Sequence, residues 1–284
     1  MSNSNIWKGN STFILAAAGS AVGLGNIWKF PYMVGSNGGS AFVIIYLLCI
    51  LAIGLPVMAS EVLIGKYGRK SPINSLKALA KENAISENWK YLGILGALAG
   101  ILILSYYSVF AGMALSYIFN FFPSGLENPS EYSARYFSEL SSSHWILIFW
   151  HSTFLMITCW IVAMGVVKGI GRSVSILMPF LFLFIILISF YSSYIGNFNE
   201  TIFFLFKPDF SSITPEVVIS AMGQAFFSLS IGMGAIMAYG AYMPERQVIG
   251  KTVLTIIILD TLVALCAGIA IFPIVFSNTS LEVS

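Results

Sequence analysis

Residues 19–31 read Gly19-Ser20-Ala21-Val22-Gly23-Leu24-Gly25-Asn26-Ile27-Trp28-Lys29-Phe30-Pro31. They lie in an apolar run, roughly 12–35, long enough to cross a bilayer. Yet Gly19, Gly23 and Gly25 fall within seven residues, followed by Asn26, Lys29 and Pro31. A helix in lipid must satisfy its own backbone, and each interior glycine costs about 1 kcal/mol relative to alanine. Unwound backbone at that depth is tolerated only where protein or a water-filled cavity supplies partners. The stretch therefore predicts either a close helix crossing or a helix broken at a site.

The rest of the chain supports the membrane setting. Of 284 residues, 57% are hydrophobic and 9% charged, with mean hydropathy +0.86. Such a composition cannot cover a water-facing surface and places the chain in the integral membrane class. Apolar runs of spanning length occur at roughly 12–35, 40–65, 91–122, 145–165, 173–195, 217–242 and 252–276. They predict seven transmembrane helices, continuous rather than alternating, which argues against a β-barrel. Cys49, Cys159 and Cys266 sit in these runs as small hydrophobes, without metal spacing. The first apolar run is too long for a cleaved signal peptide.

Lys and Arg set the orientation. One side receives Lys8, Lys66, Arg69, Lys70, Lys77, Lys81, Lys90, Lys168, Arg172, Arg246 and Lys251; the other receives Lys29, Arg135 and Lys207. That asymmetry predicts a multi-pass protein of the cell (plasma or inner) membrane with a cytoplasmic N-terminus. Residues 66–90 read as a basic inner loop with an amphipathic turn near Ile73–Leu79. Residues 123–144 and 196–216 read as outer loops, with Thr201–Phe206 on the membrane surface.

A second span is also interrupted. Residues 223–234, GQAFFSLSIGMG, place Ser228, Ser230, Gly232 and Gly234 mid-membrane. Broken ends expose carbonyls that suit a cation and N–H groups that suit an anion. Small residues can equally serve close packing. Two such spans, the first and the sixth, are what a transporter built of repeats would place at its binding site.

Three stretches, GSAVGLGNIWKFPY, NGGSAFVIIYLLCILAIGLPVMASEVLIGKYGRKSP and GQAFFSLSIGMGAIMAYGAYM, resemble the signatures of the neurotransmitter:sodium symporters, and the bacterial amino-acid transporters among them above all. The resemblance runs from about residue 7 to 277. It implies an all-α, inverted-repeat (leucine-transporter-like) fold with discontinuous helices 1 and 6. Residues 1–195 would form a first five-helix repeat, and residues 196–284 an outer loop with helices 6 and 7 of an incomplete second repeat. It further implies sodium-coupled, chloride-independent symport of a neutral, hydrophobic or aromatic L-amino acid by alternating access. The alternative reading is a truncated or split chain that is inactive alone or needs a second polypeptide supplying helices 8 onward.

The site residues follow from the same resemblance. Sodium ions are the implied cosubstrate. The first would be held by Asn26, the Ala21 carbonyl, Ser228 and Asp260, and the second partly by Gly19 and Val22. A hard cation wants such oxygen ligands. Asp260, alone among the isoleucines and leucines of TIIILDTLVALCAG, would also supply the fixed negative charge that chloride gives some relatives. Ala264 stands one turn later, where some bacterial relatives carry that acid. From the residues alone, Asn26 could instead cap the outer half-helix, and Asp260 could be a structural buried acid.

A zwitterionic amino acid would set its carboxylate on the Leu24 and Gly25 N–H groups and the Tyr107 hydroxyl. Its ammonium would meet Ala21, Phe227, Ser228 and Ser230, and Ile103, Tyr107, Phe227, Ser230 and Met233 would wall the side chain. Lys29 stands at the outer gate, where relatives carry Arg, and Trp7 at the inner gate. Glu61 and Gln224 would brace the broken helices, and the Gly169–Pro179 pair would loosen the start of the fifth. His144 and His151 lack metal-set companions and read as interface residues. No HExxH or GxSxG context supports an enzyme, and nothing points to nucleic acid. The lipid bilayer is the one implied macroscopic partner; the sequence does not specify an oligomeric state.

Overall fold

Long apolar runs without internal turn signals leave the helix as the structure that closes every backbone hydrogen bond within itself. A computed structural model describes residues 10–120 and 129–277, and every regular element among them is helical. Among the described residues five helices are long and apolar enough to cross a membrane: Ser40–Gly68, Glu87–Asn120, His144–Ala163, Val166–Ile195 and Ile249–Ser277. They form the second, third, fourth, fifth and seventh spans. The first span is a bent pair, Phe13–Ala21 and Gly25–Ser36, kinked by 47°. The sixth is Pro215–Ser228 followed, after an unwound stretch, by Ala235–Gly240.

Two compact units emerge. One comprises the chain up to Ala97 together with Gly171 onward; the other is Leu98–Ile170. In the first unit the first span packs against the fifth and seventh. Val22, Met178 and Val263 form a buried cluster there, with Leu15, Ile27 and Val174 around it. The N-terminal half of the sixth span lies along the second span. Phe30, Phe42 and Tyr46 pack as an aromatic group, with ring centroids 5.0–6.3 Å apart.

Small residues allow the tightest crossing. A Cβ on Gly65 would collide with the Met237 carbonyl, and one on Gly240 would lie 2.8 Å from the Val62 carbonyl. Below that crossing two basic residues act as staples. Lys66 Nζ donates to the Gln247 carbonyl at 2.8 Å. Arg69 Nη1 donates to the carbonyls of Ala241 (3.1 Å) and Met243 (2.6 Å). The basic loop between the second and third spans carries the amphipathic helix Pro72–Glu82, with Ser75, Leu76 and Ala80 buried.

At the other end, Phe198–Phe206 is a short helix whose Phe204 meets Phe272 and Phe276 of the seventh span. Asp209 accepts from the Ser211 and Ser212 hydroxyls, which holds its carboxyl below the usual carboxylate range.

The second unit holds most of the third span and all of the fourth. Gly112 lets the two approach, since a Cβ there would lie 2.7 Å from the His151 nitrogen. The fourth span buries no residue fully; Trp145, Phe149 and Trp160 all face outward, as a lipid-facing helix would. The stretch read as an outer loop contains a helix, Pro129–Ser142, stabilised by Arg135 Nε donating to Glu139 at 2.8 Å.

Candidate ion and substrate site

The first break falls at Val22 and Gly23. The N-terminal half-helix ends at Ala21, and a π-helical turn, Gly25–Lys29, starts the C-terminal half. Asn26 lies inside that turn and its Oδ1 reaches back across the break to accept the Gly23 N–H at 3.2 Å. The Gly23 carbonyl takes the N–H groups of Asn26 and Ile27. A Cβ on Gly25 would lie 2.9 Å from the Phe227 ring, so glycine is required for the sixth span to approach.

The second break spans residues 229–234. Three of its residues are left-handed: Ser230 (φ 53°), Gly232 (φ 86°) and Gly234 (φ 77°). Glycine adopts that conformation without steric cost, whereas a serine held there stores strain. Ser230 Oγ donates to the Ser20 carbonyl at 2.9 Å, which ties the second break to the first.

Between the breaks lies a polar cluster in which Asn26 and Asp260 are fully buried. Asn26 Nδ2 donates to Asp260 Oδ1 (2.8 Å), to the Asp260 carbonyl (3.1 Å) and to Ser228 Oγ (3.0 Å). Ser228 Oγ donates to Asp260 Oδ2 at 2.5 Å. Three spans thus converge, each contributing one oxygen-bearing side chain. A buried acid so surrounded can be neutralised by a hard cation that takes oxygens from Asp260, Ser228 and Asn26. The Asn26 amide presents its nitrogen to the carboxylate here, and a half-turn of the amide would present its oxygen. Among the described residues no group of three or more His, Cys, Asp or Glu gathers as a transition-metal site.

The remaining predicted residues fall as follows. Gln224 Nε2 donates to the Gly25 carbonyl at 2.8 Å, a link from the sixth span to the first break. Glu61 Oε1 accepts the Gly232 N–H at 2.6 Å, a link from the second span to the second break. Lys29 Nζ sits 4.1 Å over the centroid of the Phe227 ring, a cation–π contact. Gly19 packs closely on Val174 and Met178 of the fifth span. Ala21 and Val22 are buried at the break, Leu24 is half-buried, and Met233 is half-buried with its backbone against Gly96. Ile103 and Tyr107 are half-buried on the third span, within the second unit. Gly169 lies in a π-helical turn, Val166–Ile170, that opens the fifth span, and Pro179 is exposed inside the helix that follows. Trp7 lies outside the described residues.

Two contributors went unmarked in the sequence reading. Tyr46, fully buried on the second span, donates its hydroxyl to Ser228 Oγ at 3.3 Å. A phenol inside VIIYLLC needs a partner, and that was its available signal. Ser20 contributes its carbonyl to the Ser230 hydroxyl, a role no sequence signal marks.

The chain is similar to known proteins over most of its length. The sodium:neurotransmitter symporter family matches residues 4–131 and 126–282. The uncharacterized sodium-dependent transporter YhdH of Bacillus subtilis (strain 168) is 39% identical over 273 residues, covering 95% of this chain and 59% of the relative. The mouse sodium-dependent neutral amino acid transporter B(0)AT3 is 29% identical, covering 94% of this chain and 47% of that protein. The crystal structure of MhsT in complex with L-phenylalanine superposes with a TM-score of 0.90 at 42% identity, covering 98% of this chain and 63% of MhsT. The all-α fold of the chain is thus the inverted-repeat membrane fold of that transporter. The chain spans from about half to under two thirds of the length of these relatives.

Proposed function

Because the chain belongs to the sodium:neurotransmitter symporter family, whose members are transporters rather than enzymes, we propose sodium-coupled, chloride-independent symport of a neutral, apolar or aromatic L-amino acid as its function. The observation that carries this is the buried Asn26–Ser228–Asp260 cluster, where the two broken spans meet the seventh. Asp260, Ser228, Asn26 and the Ala21 carbonyl would hold one sodium ion, and the Gly19 and Val22 carbonyls would contribute to a second. Asp260 carries a negative charge of its own at the cluster, so no chloride is required there.

The amino acid would set its carboxylate against the outer half-helix at Leu24 and Gly25. Its ammonium would meet the carbonyl end of the sixth span's outer half at Phe227 and Ser228, with Ser230 beside it. Phe227 and Met233 would wall the side chain. The relative crystallised with L-phenylalanine, and the neutral amino acid transporters among the relatives, support that substrate class. Lys29 would steady Phe227 as a lid, and Glu61 and Gln224 would keep the breaks in register. Residues 1–195 and 196–284 would belong to two opposed repeats, with the N-terminus in the cytoplasm of a cell-membrane protein. Alternating access then requires that sodium bind one conformation better than the other.

The test is uptake of labelled phenylalanine and leucine into proteoliposomes. Uptake is expected with an inward sodium gradient, with gluconate replacing chloride as well. Uptake that persists when potassium replaces sodium overturns the coupling; uptake that requires chloride overturns the role given to Asp260.

A further inference from the structure

A second polar feature of the first unit lies apart from the ion cluster. A cavity of about 370 Å³ opens between the second span, the start of the third and the unwound part of the sixth. Val57, Ile64, Leu92 and Met237 give it apolar walls, and Ser60 and Glu61 are its side-chain polar groups. Glu61 is only 7% exposed. One of its oxygens accepts the Gly232 N–H, but Oε2 is buried without a hydrogen-bond partner. The Met237 N–H also faces this carboxyl group without supplying Oε2 with a hydrogen bond.

Inside a membrane an orphaned carboxylate oxygen is costly, and a charge there is paired by preference. The volume falls in the range of small-molecule sites, which are mostly apolar with few polar anchors. We infer that this cavity is a binding site for a primary amine with an apolar body and no carboxylate, its ammonium donating to Glu61 Oε2. An ammonium brings three donors and a positive charge, so one can meet Oε2 while another reaches the Ser60 hydroxyl oxygen. A zwitterionic amino acid is disfavoured, because its own carboxylate would come close to Glu61. The site is therefore distinct in chemistry from the transport site, which selects for a carboxylate. An amine held there would bridge the second span to the Gly232 segment and strengthen the brace that Glu61 supplies.

The probe is tritiated 2-phenylethylamine, with binding measured by scintillation proximity on the purified full chain in detergent. Saturable binding is expected, undisturbed by replacing sodium with potassium and not displaced by excess L-phenylalanine. Glu61→Gln keeps an oxygen for the Gly232 N–H but removes the charge, and should weaken binding about tenfold or more. Ser60→Phe leaves Glu61 intact and fills the cavity from an exposed position; it should abolish binding. Retained elution volume and helical content show that both variants are folded. Binding unchanged in either folded variant overturns the site. Displacement by L-phenylalanine also overturns it, because the amine would then be occupying the transport site. Equal binding of neutral 2-phenylethanol overturns the role of the ammonium.

Discussion

The two breaks solve one problem in different ways. The first takes two residues, Val22 and Gly23, with no left-handed backbone, and its C-terminal half restarts as a π-helical turn. Part of its support is borrowed: Gln224 holds the Gly25 carbonyl and Ser230 holds the Ser20 carbonyl, both from the sixth span. The second takes six residues, three of them left-handed, and is braced from the second span by Glu61. One break is economical in backbone and dependent on its neighbour; the other is strained and held from outside. The difference teaches that the sixth span cannot shift without disturbing the first. Two helices that move as a unit need this kind of dependence.

Asp260 tests the shared anchor and carries the largest expected effect. Its carboxylate takes hydrogen bonds from Asn26 of the first span and Ser228 of the sixth. Asp260→Ala strands both donors in a buried site, at a cost of about 3 kcal/mol or more. Sodium-dependent phenylalanine binding should fall about 100-fold, the equivalent of that cost. A variant that keeps wild-type sodium affinity would mean that the two breaks are not joined through this residue.

Gln224→Leu separates the breaks at one point only. It removes one of the two hydrogen bonds to the Gly25 carbonyl, which keeps the Phe30 N–H, and costs about 1 kcal/mol. A thermal midpoint a few degrees lower is expected, with sodium dependence preserved. If the midpoint is unmoved, the first break stands on its own and the asymmetry drawn above is wrong.

How much of this was legible in the sequence depends on distance along the chain. The spans follow from apolar runs, since lipid leaves a long apolar segment few structures other than a helix. Asn26 and Asp260 stand out because a polar side chain in such a run needs an explanation. Their pairing lies across 234 residues and no local pattern encodes it; family resemblance pointed to it. Tyr46 was hidden for the same reason: its partner, Ser228, is 182 residues away, and an aromatic in an apolar run looks like packing. The helix Pro129–Ser142 was obscured by its serines, which favour turns in isolation, although Arg135 and Glu139 form a helical pair. Glycines announced the second break, but the left-handed residue between them, Ser230, carries no such announcement.

Ser230 gives the smallest effect and separates the two halves of the comparison most cleanly. The residue does two opposed things. Its hydroxyl supports the first break by donating to the Ser20 carbonyl at 2.9 Å, worth about 1 kcal/mol. Its backbone, at φ 53°, strains the second break by about 1–2 kcal/mol. Ser230→Ala removes the hydrogen bond and keeps the strain, so it should destabilise by about 1 kcal/mol. Ser230→Gly removes both, and the relief of strain offsets the lost bond, less the entropy that glycine loses on folding. Denaturation midpoints in a common detergent should therefore rank wild type and glycine close together, with alanine below both. If alanine and glycine fall equally, the strain at the second break is negligible and its left-handed turn is simply accommodated. If glycine rises above wild type, the serine has been kept at a cost in stability for the link it makes to the first span.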